Sequence, residues 1–236
     1  MTLESPAAGE RGPRLAVLDM NGTTVTDGGA AERAVREVLS GHGVNGPRLE
    51  QALDRSRRSA GLDRAELFAQ VFPHDADTAR RATRAFAEAY DRMIAAGAVT
   101  AVPGAEETVH ELRSRGVKVC LATGFGRHTQ NSILEALGWM GLADLSLCSE
   151  DAGRGRPHPD MVLTAVLALD VEDVRDVIVV GDTAADIASG LHAGGSAVGV
   201  LTGAQGEGEL RAAGANAVVP SIADLPGLLW PAAHSA

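Results

Sequence analysis

The stretch LAVLDMNGTTV, Leu15–Val25, decides the fold. Leu15 to Leu18 form a short unbroken apolar run, as a strand buried on both faces requires, and Asn21-Gly22 ends it at once. Asp19 is therefore expected at the exit of a strand. Two places later stands an amide, Asn21, where a second acid would make proton chemistry straightforward.

Downstream comes a Gly-rich turn (Asp27, Gly28, Gly29), and residues 30–97 then carry no strand pattern. Apolar residues recur there at helical spacing, most clearly Ala79, Ala82, Phe86, Ala89, Tyr90, Met93 and Ile94, one stripe of an amphipathic helix. With Pro47 and Pro73 as punctuation, the segment predicts an all-helical insert of about four helices. From Pro103 helix and strand alternate: helices over 105–115, 129–137, 160–169 and 184–193, and strands over 117–122, 145–148, 177–180, 197–201 and 217–219. Such alternation predicts a doubly wound, mainly parallel α/β sheet with helices on both faces. The expected division is a core of residues 1–26 and 98–236 and a helical cap of residues 27–97. Ligands of open α/β sheets bind beyond the carboxyl ends of the strands, where Asp19, Thr123 and Asp182 gather.

The 236 residues, 45% hydrophobic and 22% charged, suit a globular protein with one large core and an appendage. A formal net charge of -10 argues against nucleic-acid binding, which needs a basic surface; Arg55, Arg57 and Arg58 form only a local cluster. No apolar run approaches the roughly 20 residues that span a bilayer, and residues 1–13 lack the apolar stretch of a signal peptide. A cytoplasmic protein without a membrane partner is expected. Cys120 and Cys148 fall within strand-like segments and read as buried reduced thiols. Histidines 42, 74, 110, 128, 158 and 192 show no metal-ligand spacing, and the C-terminal PAAHSA reads as a frayed tail.

Four pieces converge on the sheet edge. A carboxylate such as Asp19, held beside a cation, can attack an electrophilic centre. Asp182 and Asp186, in GDTAAD, offer oxygen ligands suited to Mg²⁺. Thr123-Gly124 offers a hydroxyl and unhindered backbone N–H groups to a phosphoryl oxygen. Arg156, in RGRPHPD, can neutralise charge on a transferred group. Each alone has a plainer explanation as a helix cap, a turn or a solvated loop residue. Their joint occurrence at successive strand ends is what independent caps rarely produce.

LDMNGTTV, LATG, RGRPHPD and VVGDTAAD together resemble the four ordered motifs of the haloacid dehalogenase superfamily. DMNGTTVTDGG, GRPHPDM and the segment from Gly199 to Leu229 resemble its phosphonatase-like branch, relatives of phosphonoacetaldehyde hydrolase. The resemblance implies that Asp19 attacks phosphorus, Thr123 binds the phosphoryl group and Arg156 fills the cationic position of the third motif. It also implies Mg²⁺ held by the Asp19 carboxylate, the backbone carbonyl of Asn21 and Asp182, with Asp186 as ligand or support. Relatives pair through their caps, so a homodimer is expected on the same ground.

Phosphatases of this superfamily carry an acid two residues after the nucleophile. An amide exchanges no proton at neutral pH, so Asn21 removes a general acid/base worth about 10²- to 10⁴-fold, or roughly 3 to 5 kcal/mol. Phosphonoacetaldehyde hydrolase also lacks that acid but activates its leaving carbon through an imine on a cap lysine. Here the single lysine is Lys118, five residues before Thr123 and so about 16 Å back along the strand. GLDRAEL puts Arg64 where the cap lysine falls, and a guanidinium forms no such imine. Arg57, Arg58 and Arg64 are the cap's candidate anion contacts, with Arg64 favoured by position and the first pair read more readily as a solvated helix face.

The expected function is a Mg²⁺-dependent phosphohydrolase that forms an aspartyl phosphate on a small phosphorylated or phosphonate metabolite. Its substrate has a good leaving group or supplies its own proton donor. The alternatives are P–C bond hydrolysis without a Schiff base, and a catalytically silent binding protein that keeps the pocket.

Overall fold

The computed structural model describes residues 12–58 and 64–231. The expectations placed on residues 1–11, on Gly61–Asp63 of GLDRAEL, on the side chain of Arg58 and on the final residues of the tail lie outside them.

Six strands, β1 (Leu15–Asp19), β4 (Lys118–Thr123), β5 (Leu145–Cys148), β6 (Val177–Gly181), β7 (Ser196–Val200) and β8 (Ala217–Val219), form one parallel sheet in the order β5-β4-β1-β6-β7-β8. Strand β1 lies between β4 and β6, with Asp19 opposite Ala122 and Leu18 opposite Val180. The chain leaves β1 to one side and later returns to the other, which opens the crevice at its carboxyl end.

Alternation along β1 explains why this run is a strand. Ala16 and Leu18 enter one apolar cluster with Val119, Leu121, Ile178 and Val180, while Leu15 and Val17 enter another with Cys120, Ala122, Val177 and Val179. Helix α5 (Ala105–Ser114) and helix α6 (Arg127–Ala136) supply the first face with Val109, Leu112, Ile133 and Leu134. Helix α7 (Asp160–Ala168) and helix α8 (Ala184–Ala193) supply the second with Val162, Ala165 and Ala193. Each fully buried Leu or Val contributes about 1.5–3 kcal/mol, so a register slip that turned one face outward would be costly.

Between β1 and β4 stand four helices: α1 (Ala30–Gly41), α2 (Gly46–Arg58), α3 (Arg64–Val71) and α4 (Ala76–Ala95). In α4, Asp75 caps the first turn by accepting from the Thr78 N–H at 2.8 Å, and Ala79, Ala82, Phe86, Ala89, Tyr90 and Ile94 are buried. Phe86 and Tyr90 pack on Phe125, in the loop after β4, with ring centroids 6.0 and 5.1 Å away. Both connections to the helical segment run through a ribbon of two short antiparallel strands, β2 (Val25–Thr26) and β3 (Thr100–Ala101).

Several sequence boundaries shift. Strand β4 begins at Lys118 because the Val117 N–H still closes the turn onto Leu112 O at the end of α5, and the Lys118 N–H is the first to reach Arg14 O. Helix α6 starts at Arg127, directly after Gly126. Strand β7 runs one residue earlier than expected because Ser196 pairs with Ile178. Two short helices, α9 (Glu207–Ala212) and α10 (Leu225–Leu229), and the ribbon are too short to carry a periodic signal. Cys120 and Cys148 are buried free thiols. Among the described residues no helix is long and apolar enough to cross a membrane.

Candidate active site

The carboxyl edge of the sheet concentrates charge that a protein interior tolerates poorly. Asp19 ends β1, Asp182 follows β6 and Asp186 lies in the first turn of α8; all three are buried, with oxygens within 4.8 Å of one another. Arg156, 5% exposed, reaches in from the loop between β5 and α7. Its Nη1 donates to Asp19 Oδ1 at 2.6 Å and its Nη2 to Ala122 O at 3.2 Å. Its Nε lies 2.9 Å from Asp186 Oδ1, a charge contact without hydrogen-bond alignment, so that oxygen has no hydrogen-bond partner among the described residues.

Three carboxylates against one guanidinium leave an excess of negative charge. Burial pushes the Asp19 carboxyl well above its ordinary value, Arg156 pulls it back, and Asp186 and Asp182 push it up further. Asp182 is raised to about 7, first by burial and then by the charge of Asp186. Burial opposes the charge on Arg156, yet Asp186 and Asp19 outweigh it and hold the guanidinium protonated. Oxygens around an octahedral Mg²⁺ at about 2.1 Å lie roughly 3 to 4 Å apart, so this donor set fits a hard divalent cation that would offset the excess.

Local structure fixes each carboxylate. Asp186 Oδ2 accepts from the Thr183 N–H at 3.1 Å and from its hydroxyl at 2.5 Å, a capping box at the start of α8. Asp182 Oδ2 accepts from the Ala204 N–H at 2.7 Å. The bare backbones of Gly22 and Gly203 pack against the same carboxylate, where any Cβ would overlap it. Gly22 also has φ +96°, a conformation that favours glycine. Thr123 ends β4, one residue beyond Ala122, the partner of Asp19; its Oγ1 accepts from the Phe125 N–H at 3.2 Å, leaving its own hydrogen for another acceptor.

Asn21 is held differently. Its Nδ2 donates to Tyr90 Oη at 2.8 Å and to Asp27 Oδ2 at 3.1 Å, and Tyr90 Oη donates to the same Asp27 oxygen at 2.9 Å. Burial, and then the Asp27 carboxylate, push the Tyr90 phenol well above its ordinary value, so it stays a neutral donor. Asn21 Oδ1 is buried and has no hydrogen-bond partner among the described residues.

A cleft of about 400 Å³ adjoins the cluster, lined by Gly22 and Asp182 from the core, Asn21 and Asp27 from the first loop, and Ser56 and Arg64 from the helices. Arg64 Nη1 donates to Ser56 Oγ at 3.2 Å, and the guanidinium carbon lies 5.7 and 5.6 Å from the Phe86 and Phe125 ring centroids. Arg57 also lines this cleft, but Glu32 and Asp54 already neutralise it through ion pairs at 2.8 and 2.6 Å, which weakens it as an anion contact. Lys118 opens β4 and stands at the opposite end of that strand from Thr123.

A family model of haloacid dehalogenase-like hydrolases matches residues 13–194. The chain belongs to this family. A phosphonoacetaldehyde hydrolase from Hahella chejuensis is 34% identical over 149 residues, 53% of this chain and 51% of that protein, so the chain spans about half of that relative's length. A phosphonoacetaldehyde hydrolase from Syntrophobacter fumaroxidans is 31% identical over 200 residues, 78% of this chain and 70% of that one. Among solved structures, a phosphonoacetaldehyde hydrolase-like protein from Oleispira antarctica matches with a TM-score of 0.80 at 26% identity, covering 97% of this chain and 95% of that one.

In this haloacid dehalogenase-like hydrolase, the structure brings together Asp19, Arg156, Asp182 and Asp186, sets Thr123 and Gly124 at the end of the neighbouring strand, and puts Asn21 and Arg64 on the adjoining cleft. Sequence reasoning missed two members. Tyr90 carried only a core signal, since its helical spacing buries it, and its hydroxyl partner lies 69 residues away. Asp27 looked like part of a glycine turn; its carboxylate also accepts from the N–H groups of Gly29 and Ala31 at 2.9 and 3.0 Å, which fixes it at the start of α1.

Proposed function

We propose that this protein is a Mg²⁺-dependent phosphohydrolase that forms an aspartyl phosphate on Asp19, acting on a small phosphorylated or phosphonate metabolite. The observation that carries this reading is the buried Asp19 carboxylate, paired with Arg156 and within 4.8 Å of Asp182 and Asp186 at the edge where α/β sheets bind ligands.

In the first half-reaction an Asp19 oxygen attacks phosphorus, and the bond to the leaving group breaks with its electron pair departing on that group. In the second, water attacks phosphorus and Asp19 is released as a carboxylate. Arg156 favours the ionised nucleophile and aims Oδ1 through a 2.6 Å hydrogen bond. The Thr123 hydroxyl and the backbone at Gly124 receive phosphoryl oxygens, and Arg64 meets an anionic part of the substrate in the cleft. The Asp19 and Asp182 carboxylates and the Asn21 backbone carbonyl would hold Mg²⁺, with Asp186 beside it, and the ion would supply neutralisation of charge on the phosphoryl group.

Asn21 gives the leaving group no proton, so the substrate is one whose leaving group departs as a stable anion or carries its own donor. A second reading, P–C cleavage without an imine, draws support from the relatives named phosphonoacetaldehyde hydrolase. The substrate is then a phosphonate whose carbanion a neighbouring carbonyl stabilises. Phosphate release from acyl phosphates, phosphate esters and carbonyl-bearing phosphonates, with and without Mg²⁺, separates the two. Asp19→Asn is expected to abolish release from every active substrate, and undiminished activity in that variant would end the covalent proposal.

A further inference from the structure

The Asn21 amide is oriented by its neighbours. Both of its hydrogens point at acceptors, Tyr90 Oη and Asp27 Oδ2, and Tyr90 closes the ring by donating to that same carboxylate oxygen. The reversed amide would put Oδ1 against the Asp27 carboxylate, and the one tyrosine hydrogen could serve only one of the two facing oxygens. The ring is also mechanically held. Tyr90 is fully buried and stacks on Phe86 at 5.7 Å, and Phe125 lies 5.1 Å away. Asp27 is tied to the start of α1 by two backbone N–H groups.

This arrangement leaves Asn21 Oδ1 as a buried acceptor without a partner, on a residue that lines the cleft beside Asp182. A buried acceptor of this kind calls for a donor, and the described residues supply none. A carbonyl oxygen cannot protonate a leaving group, but it can hold a hydrogen of water and so fix the direction of its lone pair.

We infer that Tyr90 is a positioning residue: with Asp27 it locks the Asn21 amide so that Oδ1 accepts a hydrogen bond from the water that hydrolyses the aspartyl phosphate. The inference rests on the phosphohydrolase reading above. In that step the water oxygen bonds to phosphorus, and the bond between phosphorus and the Asp19 oxygen breaks with its electron pair returning to the carboxylate. Both water hydrogens end on the product, which leaves as H₂PO₄⁻. Asn21 takes up no proton and needs to take up none.

The test compares wild type, Asn21→Ala, Tyr90→Phe and the double variant, with Mg²⁺ and an acyl phosphate whose leaving group needs no acid. Tyr90→Phe keeps the ring packing, and thermal melting verifies that each variant is folded. Turnover, KM and the fraction of acid-quenched enzyme phosphorylated at Asp19 are measured together. Each single substitution is expected to lower kcat about tenfold, the worth of one hydrogen bond, with KM within about twofold. The phosphorylated fraction is expected to rise, because the affected step is its breakdown. The double variant should be no slower than Asn21→Ala, since Tyr90 acts through the amide.

Losses that multiply in the double variant, or a phosphorylated fraction that falls, would overturn the inference while leaving the hydrolase reading intact. A wild type that turns over no substrate would remove that reading and this one with it. Nuclear magnetic resonance gives a readout besides activity: the Asn21 side-chain amide, identified by its absence in Asn21→Ala, should exchange slowly in wild type and faster in Tyr90→Phe. Equal exchange in the two would show that Tyr90 does not hold it.

Discussion

Replacing Asn21 by Asp tests the electrostatics of the first loop. In the wild type the amide nitrogen lies 3.1 Å from Asp27 Oδ2. A carboxylate there turns a hydrogen bond into a repulsion between like charges. At an effective dielectric of about 20 that repulsion is about 5 kcal/mol at this distance, and solvent around a part-buried pair reduces it to roughly 3. Three kcal/mol is about two pKa units, which moves the new carboxyl at position 21 from about 4 to about 6. Because its protonated form is favoured in the folded state, the penalty is absent below about pH 4, grows as pH rises from about 4 to about 6, and is fully present above that. Losing the two amide hydrogen bonds costs a further 1–3 kcal/mol or so at any pH.

Two measurements follow from these figures. Thermal melting should show Asn21→Asp less stable than wild type, with the gap widening from about pH 4 to about pH 6 and constant above about pH 7. Phosphate release from simple alkyl esters should rise, by up to about 10²-fold, with an optimum near pH 6 where the new acid is still protonated. Adding Asp27→Asn removes the repulsion and should shift the falling limb of that profile about two units toward acid. Superimposed profiles for the single and double variants would refute the account of Asp27 facing position 21. No gain with alkyl esters would mean that Asn21 serves other chemistry.

Gly203→Ala puts a methyl group into the Asp182 carboxylate, so it should lower stability by about 1–3 kcal/mol and weaken Mg²⁺ binding measured by calorimetry; unchanged binding would refute the tight approach. Arg64→Gln should raise KM about 10- to 100-fold with a smaller effect on kcat, as expected for one charge-assisted contact, and an unchanged KM in steady-state assays would remove Arg64 from the substrate site. Borohydride added during turnover should not inactivate the enzyme, because Lys118 opens β4 at the far end from Thr123. Inactivation with mass added at Lys118 would reopen the imine route.

What the sequence disclosed, and what it withheld, follows from the range of the forces involved. The strand bearing Asp19 was legible because four consecutive apolar residues need burial on both faces. Arg156 and Asp186 were legible as candidates because charged residues flanked glycine and proline turns at strand ends. The ion pair that joins Arg156 to Asp19 crosses 137 residues, and no local pattern encodes it. The pairing of Arg57 was illegible for a similar reason: Glu32, 25 residues earlier, accepts bidentately from it. Tyr90 shows the same limit, since helical periodicity reports which side of α4 is buried and says nothing about a hydroxyl at the tip of a buried ring.

Tyr90 is also the only tyrosine in the chain. It sits where α4 meets the loop after β4, its ring against Phe125 and its hydroxyl on the amide beside the nucleophile. Fluorine introduced into tyrosine during biosynthesis would therefore yield one resonance, assigned without mutagenesis, from the seam between the helical segment and the sheet. The molecule carries its own single-site reporter, so any change in the surroundings of that seam can be read while substrate is being consumed.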